Sequence, residues 1–247
     1  MQDLPPPPDD LLNGASLFLD FDGTLVDLAP RPEDVRVDDA LRLLVARLGR
    51  AMEGRLAIVS GRAIEAIDRH LGPEGISVSG SHGLELRGAD GRLTVPERPA
   101  ALAALTERAR AFGAANPGVV IEEKPFGLGF HYRLVPEAEA ASHALAEAMA
   151  AEAGLHLQPG KMMIELRVAG GDKGTALATM MKGAGMAGTR PVFIGDDLTD
   201  EPAFVQAEAM GGAGILVGPA RATGARYRLD DVAATLGWLD AFARAAA

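Results

Sequence analysis

Ser16-Leu-Phe-Leu-Asp20-Phe-Asp22-Gly-Thr-Leu25 is the stretch that decides the fold. A short apolar run ends abruptly in acid and then in a glycine turn, as a strand does at the C-terminal edge of a parallel sheet. Other runs repeat the form. Leu56-Ala-Ile-Val-Ser60 follows a helical stretch over 38–50, and Pro191-Val-Phe-Ile-Gly195 follows another over 173–186. Gly214-Ile-Leu-Val-Gly218 reads as a later strand and 232–247 as a closing helix. Apolar runs alternating with amphipathic helices predict an α/β fold with a Rossmann-like parallel-sheet core, buried on both faces.

The middle of the chain has a different period. Residues 99–114 and 137–153 are alanine-rich and helical, whereas 119–124, 127–133 and 161–167 alternate apolar with polar. That alternation suits an open-faced sheet with one face on helices. An inserted α+β module is therefore expected over 96–167, between core segments 15–95 and 168–247, flanked by Pro96, Pro99 and Gly170-Gly171. At about 150 residues per domain, a chain of 247 suits one domain carrying a smaller insert. The opening MQDLPPPPDD has neither a basic nor an apolar stretch. Residues 1–14 are thus expected to be a mobile Pro-rich tail and not a signal peptide.

Composition removes several chemistries. There is no cysteine, so thiol catalysis, Cys-bound zinc and iron–sulfur clusters are excluded. A net charge of −10 repels nucleic acid and anionic membrane. No apolar run approaches the roughly 18 residues of a membrane span. The expectation is a cytoplasmic monomer acting on a small molecule.

Asp20 and Asp22 sit at i and i+2, so in an extended chain they share a face roughly 6.6 Å apart. Such a pair repels unless a cation neutralises it or one member keeps its proton. Both remedies suit phosphoryl transfer: one Asp attacks phosphorus with Mg²⁺ at the cluster, and the other moves protons. Alone, Asp-Gly after a strand is also an ordinary turn. Ser60-Gly61-Arg62 offers a hydroxyl and backbone N–H groups for a phosphate cradle, or a simple N-cap at Ser60. Lys173, in a first helical turn, opposes the helix dipole unless an anion sits there; as an exposed lysine offset by Asp172 it needs none. Gly195-Asp196-Asp197-Leu-Thr-Asp200-Glu201 crowds four acids into six residues, as a metal site would. Within it, Asp200 or Thr199 reads best as a cap for the helix beginning near Pro202. All four features lie at strand ends or a helix start, on the edge where open α/β sheets bind ligands.

Asp20-Phe-Asp-Gly-Thr, Ser60, Lys173 and Gly195-Asp-Asp, in that order, resemble the four motifs of the haloacid dehalogenase superfamily of phosphatases. The resemblance implies the haloacid dehalogenase fold, with the insert as its cap domain. It implies Asp20 as nucleophile forming an aspartyl-phosphate, Asp22 as general acid/base, and Ser60 and Lys173 on the phosphoryl group. Mg²⁺ would be held by Asp20, the Asp22 backbone carbonyl and Asp196, with Asp197 and Asp200 behind these ligands.

The match narrows with Val59-Ser-Gly-Arg62, Gly80-Ser-His-Gly83, Glu122-Glu-Lys124, His131-Tyr-Arg133, Gly160-Lys-Met-Met-Ile-Glu165 and the Asp196–Glu201 run. Together these resemble the trehalose-6-phosphate phosphatase family, whose substrate is then the expected one. The resemblance places Gly61, Arg62 and His82 toward substrate, and Glu122, Lys124, Arg133, Lys161 and Glu165 on the sugar. Met163 departs from it, since the family often has a polar residue there. Spacing adds support of its own: Lys161 and Glu165 lie four apart and Glu122 and Lys124 two apart, so in strands each pair shares a face. Carboxylates beside ammonium groups offer acceptors and donors to sugar hydroxyls; ion pairs on a solvated sheet would need no ligand. His131 reads as either packed or functional; His70, His143 and His156 read as ordinary. A sucrose- or hexose-phosphate phosphatase is the neighbouring alternative. A phosphoacceptor module is the distant one, opposed by the large insert and by Asp22.

Overall fold

β1 (Ala15–Leu19), the strand of the deciding stretch, runs through the interior of an eight-stranded sheet in the computed structural model, which describes residues 4–246. From β1 the chain passes through α1 (Asp39–Ala51) to β2 (Leu56–Val59), then through α2 (Ile64–Leu71) to β3 (Ser77–Gly80). Two short strands, β4 (Glu85–Arg87) and β5 (Leu93–Thr94), turn back antiparallel and close that side.

The insert follows: α3 (Leu102–Ala115), β6 (Val120–Lys124), β7 (Gly127–His131), α4 (Glu139–Ala153), β8 (His156–Gly160) and β9 (Met163–Arg167). The chain then returns through α5 (Lys173–Met180), β10 (Arg190–Gly195), α6 (Glu201–Ala209), β11 (Ala213–Val217), β12 (Tyr227–Leu229) and α7 (Val232–Ala245).

The large sheet has the order β12-β11-β10-β1-β2-β3-β4-β5, and its first six strands are parallel. The chain leaves β1 toward β2 on one side and comes back as β10 on the other. That reversal of strand order opens a crevice at the C-terminal ends of β1 and β10. Phe18, Ala57, Val59, Phe193 and Leu216 form one buried face, packed with Leu177 of α5, Met181 just past its end and Phe204 of α6. Leu17, Leu19, Ile58, Val192 and Ile194, which alternation sends to the other face, are equally buried. Unbroken apolar runs are what a sheet covered on both faces demands.

The chain divides into two compact units, one of residues 1–28, 35–95 and 171–247, the other of residues 29–34 and 96–170. In the second unit, a four-stranded antiparallel sheet of order β6-β7-β9-β8 buries Leu128, Phe130, Ile164 and Leu166 in one cluster with Leu105, Ala109, Ala146 and Met149 of its two helices. Residues 29–34 belong to this unit although they lie far from it in sequence.

Several elements differ from the sequence expectation, among them the strands β3, β4, β5 and β12, which no quoted apolar run announced. Part of the supposed tail, residues 1–3, lies outside the described residues. From residue 4 onward it is anchored: Leu4 packs on the core cluster, Pro5 O accepts the Arg228 N–H at 3.0 Å, and Leu11 and Leu12 are buried. The apolar pair outweighs the prolines, which suit an extended segment beside β12. The helix expected to reach 186 stops at Met180, ahead of Gly183 and the left-handed Gly185, while Met181 remains in the core. β8 was not expected because it contains Pro159 and Gly160; it is an edge strand, where a missing N–H is tolerated.

Candidate active site

Four neighbouring parallel strands, β10, β1, β2 and β3, end in Asp196, Asp20, Ser60 and Ser81-His82 respectively. Asp20, Asp196 and Asp200 each place a carboxylate oxygen within 4.8 Å of the other two. Lys173, the first residue of α5, reaches into this group: its Nζ lies 2.7 Å from Asp20 Oδ1 and 2.6 Å from Asp200 Oδ1. Its helix start is fixed locally by Asp172, whose side chain accepts the Thr175 N–H at 2.7 Å. Lys173 is thus a buried partner of two carboxylates, and the exposed-lysine alternative is set aside.

Asp200 does not cap α6, as its place in sequence suggested. It is fully buried, accepts no N–H from the first turn of that helix, and spends both oxygens elsewhere: Oδ1 on Lys173 and Oδ2 on the Asp197 N–H at 2.9 Å. Asp197 turns its own carboxylate to the Leu198 N–H at 2.7 Å, closing a single 3₁₀ turn. Arg221 secures the same loop, donating to the Asp197 carbonyl at 2.9 Å and pairing with Glu201.

Among these four groups, three carboxylates stand against one ammonium. Burial, and then the Asp200 charge, push the Asp20 carboxyl well above the usual range despite Lys173. Burial also works against the Lys173 charge, but Asp20 and Asp200 outweigh it and raise its pKa above the ordinary lysine value. A hard divalent cation with oxygen ligands fits that imbalance. Gly23, at φ +79°, belongs to the same pocket, because any side chain there would collide with the Asp196 carboxylate.

Asp22 is turned to Arg62. Its Oδ2 accepts from Arg62 Nε at 2.7 Å and its Oδ1 from Nη2 at 2.8 Å. Ser60 is buried; its Oγ accepts the Arg62 N–H at 3.1 Å. Ser81, His82 and Gly83 all have positive φ (49°, 53° and 94°), a costly run that is held by neighbours. The His82 N–H donates to Ser60 O at 3.0 Å, and the His82 ring fills the space a side chain at Gly61 would need. Glu85, not singled out from the sequence, ties this turn to α2: it accepts from Ser81 Oγ at 2.5 Å and from the Ile64 N–H at 3.2 Å. An acid two residues beyond His82-Gly83, in a strand otherwise fit for burial, was the available signal.

In the insert, register aligns Glu122 of β6, Gly129 of β7 and Glu165 of β9. Lys124 Nζ lies 2.5 Å from Glu165 Oε2 and 3.8 Å from Glu122 Oε2, while His131 Nε2 lies 2.8 Å from Glu122 Oε2. Glu165 is 2% exposed, so its pairing is a buried one. His131 thereby joins the polar face. Lys161 does not lie in a strand, which removes the same-face argument for Lys161 and Glu165. It occupies the turn between β8 and β9, exposed, beside Met162 at φ +60°. Arg133 donates to the backbone carbonyls of Ala29 and Lys161, at 2.6 and 3.2 Å.

A family model described as trehalose-phosphatase matches residues 18–233. A probable trehalose-phosphate phosphatase of Sinorhizobium fredii is 37% identical over 210 residues, covering 84% of this chain and 79% of its own. The trehalose-6-phosphate phosphatase of Escherichia coli K12 is 35% identical over 225 residues, covering 90% and 84%. A crystal structure of a trehalose-6-phosphate phosphatase related protein superposes with a TM-score of 0.82 at 28% identity, covering 93% of this chain and 97% of that one.

Proposed function

The chain belongs to the trehalose-phosphatase family and is a phosphomonoester hydrolase, and from that premise we propose a two-step hydrolysis of trehalose 6-phosphate with Asp20 as nucleophile and Asp22 as general acid and base. A bond forms between an Asp20 oxygen and phosphorus as the bond to the sugar oxygen breaks. The electron pair leaves with that oxygen, which takes the Asp22 proton. A water then attacks the aspartyl-phosphate and gives its proton to Asp22, releasing phosphate and restoring the Asp20 carboxylate. Lys173 stays protonated and sets charge beside Asp20 where the phosphoryl oxygens develop theirs, with the Ser60 hydroxyl as a further donor.

Asp20, Asp196 and the Asp22 backbone carbonyl would hold Mg²⁺, with Asp197 and Asp200 outside them; Asp200 is taken up by Lys173 and the Asp197 N–H. When bound, the ion supplies positive charge against the phosphoryl oxygens. Glu122, Lys124 and Glu165, with Arg133, Lys161 and His131, would present donors and acceptors to the sugar hydroxyls, and His82 with Gly61 would line the phosphate end.

The observation that carries the proposal is Lys173 bridging Asp20 and Asp200 beside Asp196 at the crevice of the sheet. Phosphate release from trehalose 6-phosphate, sucrose 6-phosphate and glucose 6-phosphate, each with Mg²⁺ and with EDTA, tests it. Trehalose 6-phosphate should be cleaved with kcat/KM at least about tenfold above the others, and only with the metal. Asp20→Asn should abolish turnover with the melting transition retained; residual activity in that variant would remove Asp20 from the role of nucleophile.

A further inference from the structure

Arg62 lies in the loop between β2 and α2, where its sequence context placed it toward substrate. The structure commits it differently. Nε and Nη2 donate in parallel to the two oxygens of Asp22, at 2.7 and 2.8 Å. The guanidinium carbon stands 5.4 Å from the centre of the buried Phe21 ring, and that ring meets His70 at 5.7 Å. The Arg62 backbone is pinned at both ends: its N–H donates to Ser60 Oγ at 3.1 Å and its carbonyl accepts the Ser81 N–H at 2.8 Å. Both ends of the side chain are therefore placed before any substrate arrives.

A guanidinium fork fixes more than distance. Two parallel N–H···O bonds set the plane and twist of the carboxylate, which a single ammonium cannot do. The fork also uses only about two of the roughly four lone-pair sites on a carboxylate, leaving one on each oxygen for a proton. Asp22 follows a strand end in a loop closed by turn bonds from Gly23, Leu25 and Val26, so Arg62 is what orients its head group. We propose that Arg62 is a positioning residue for Asp22, holding the carboxylate in the plane from which its proton reaches the leaving sugar oxygen, and not a binder of the phosphoryl group. The proposal rests on Asp22 being the acid and base.

Pre-steady-state kinetics with p-nitrophenyl phosphate separate the two roles, because that leaving group needs no proton to depart. Arg62→Lys, Arg62→Ala and Asp22→Asn are compared with the parent enzyme in Mg²⁺. A positioning role predicts a rapid p-nitrophenolate burst of about one per site in all three variants, followed by turnover slowed about 10²-fold. With trehalose 6-phosphate, whose oxygen must be protonated, the same variants should lose kcat by about 10²-fold or more with KM within about threefold. Arg62→Ala combined with Asp22→Asn should be no worse than Asp22→Asn alone. If Arg62 binds the phosphoryl group, its variants lose the burst and raise KM while Asp22→Asn keeps the burst, and the inference is overturned. If Asp22→Asn itself lacks the burst, the underlying assignment of Asp22 has failed instead. Arg62→Lys keeps the charge and guards against a variant that fails to fold.

Discussion

Lys173 Nζ lies 2.6 Å from Asp200 Oδ1 in a site where both residues are almost wholly buried. The contact joins the first turn of α5 to the loop after β10, and it holds Lys173 beside Asp20 as well. One ammonium cannot balance Asp20, Asp196 and Asp200 together.

A divalent cation should therefore stabilise the fold as well as serve the reaction. A ligand at a hundred times its Kd adds about 2.7 kcal/mol, which for a chain of this size raises Tm by about 5 °C or more. Differential scanning calorimetry with Mg²⁺ and with EDTA should show that rise in the parent protein. Asp196→Asn should abolish it. An equal rise in that variant would place the ion elsewhere.

Lys124 and Glu165 form the tightest pair of the insert, at 2.5 Å, with Glu165 2% exposed. Removing one member leaves the other charged, buried and short of its partner, which costs about 3–5 kcal/mol. Lys124→Met and Glu165→Met should each lower stability by that order. The double variant, which removes both members together and leaves Glu122 its contact with His131, should recover part of the loss while KM for trehalose 6-phosphate stays high. Additive losses in urea unfolding would show that the pair is not coupled.

How much of this was legible in the sequence follows from how local each signal is. Asp20 and Asp196 announce themselves at the ends of apolar runs, with Asp22 two residues past the first, and a parallel strand must end at the ligand-binding edge. Four neighbouring strands of the sheet, β11, β10, β1 and β2, were legible for the same reason. Contacts such as Lys173 with Asp200, 27 residues apart, or Arg62 with Asp22, 40 apart, depend on which strands become neighbours, and no local spacing carries that. Asp200 therefore read as a cap, and nothing in the sequence pointed from Arg62 to Asp22. The shared face expected for Lys161 and Glu165 was lost for a different reason: the four-residue spacing assumed one continuous strand, and the chain instead turns at Met162. The anchoring of residues 4–14 was hidden because four prolines dominate the stretch, while Leu11 and Leu12 decide where it sits.

Glu122 supplies a pH signature. Burial pushes its carboxyl up, as does Glu165, but Lys124 and the hydrogen bond with His131 outweigh them, so it titrates below its ordinary value of 4.5. A carboxyl depressed in the folded state contributes stability above its unfolded pKa and loses it as pH falls through the folded one. The stability gap between the parent protein and Glu122→Gln should thus be open above pH 4.5 and close as pH falls below it. Thermal melts across that range measure it. A gap that widens as pH falls below 4.5 would mean Glu122 is not held ionised by its neighbours.

Gly61 and His82 make the last prediction, because the ring of one occupies the space a side chain on the other would need. His82 stands at φ +53° between two further positive-φ residues, so the turn cannot easily shift to relieve a clash. Gly61→Ala should lower stability by about 1–3 kcal/mol through overpacking and should lower kcat/KM, since Ser60 and Arg62 flank it. His82→Ala added to Gly61→Ala removes the obstructing ring and should restore stability. Activity should stay low if His82 serves the phosphate end of the site as proposed. Recovery of both properties in the double variant would reduce His82 to a packing residue; recovery of neither would mean that the backbone of the Ser60-Gly61-Arg62 loop, and not the ring, is what the added methyl disturbs.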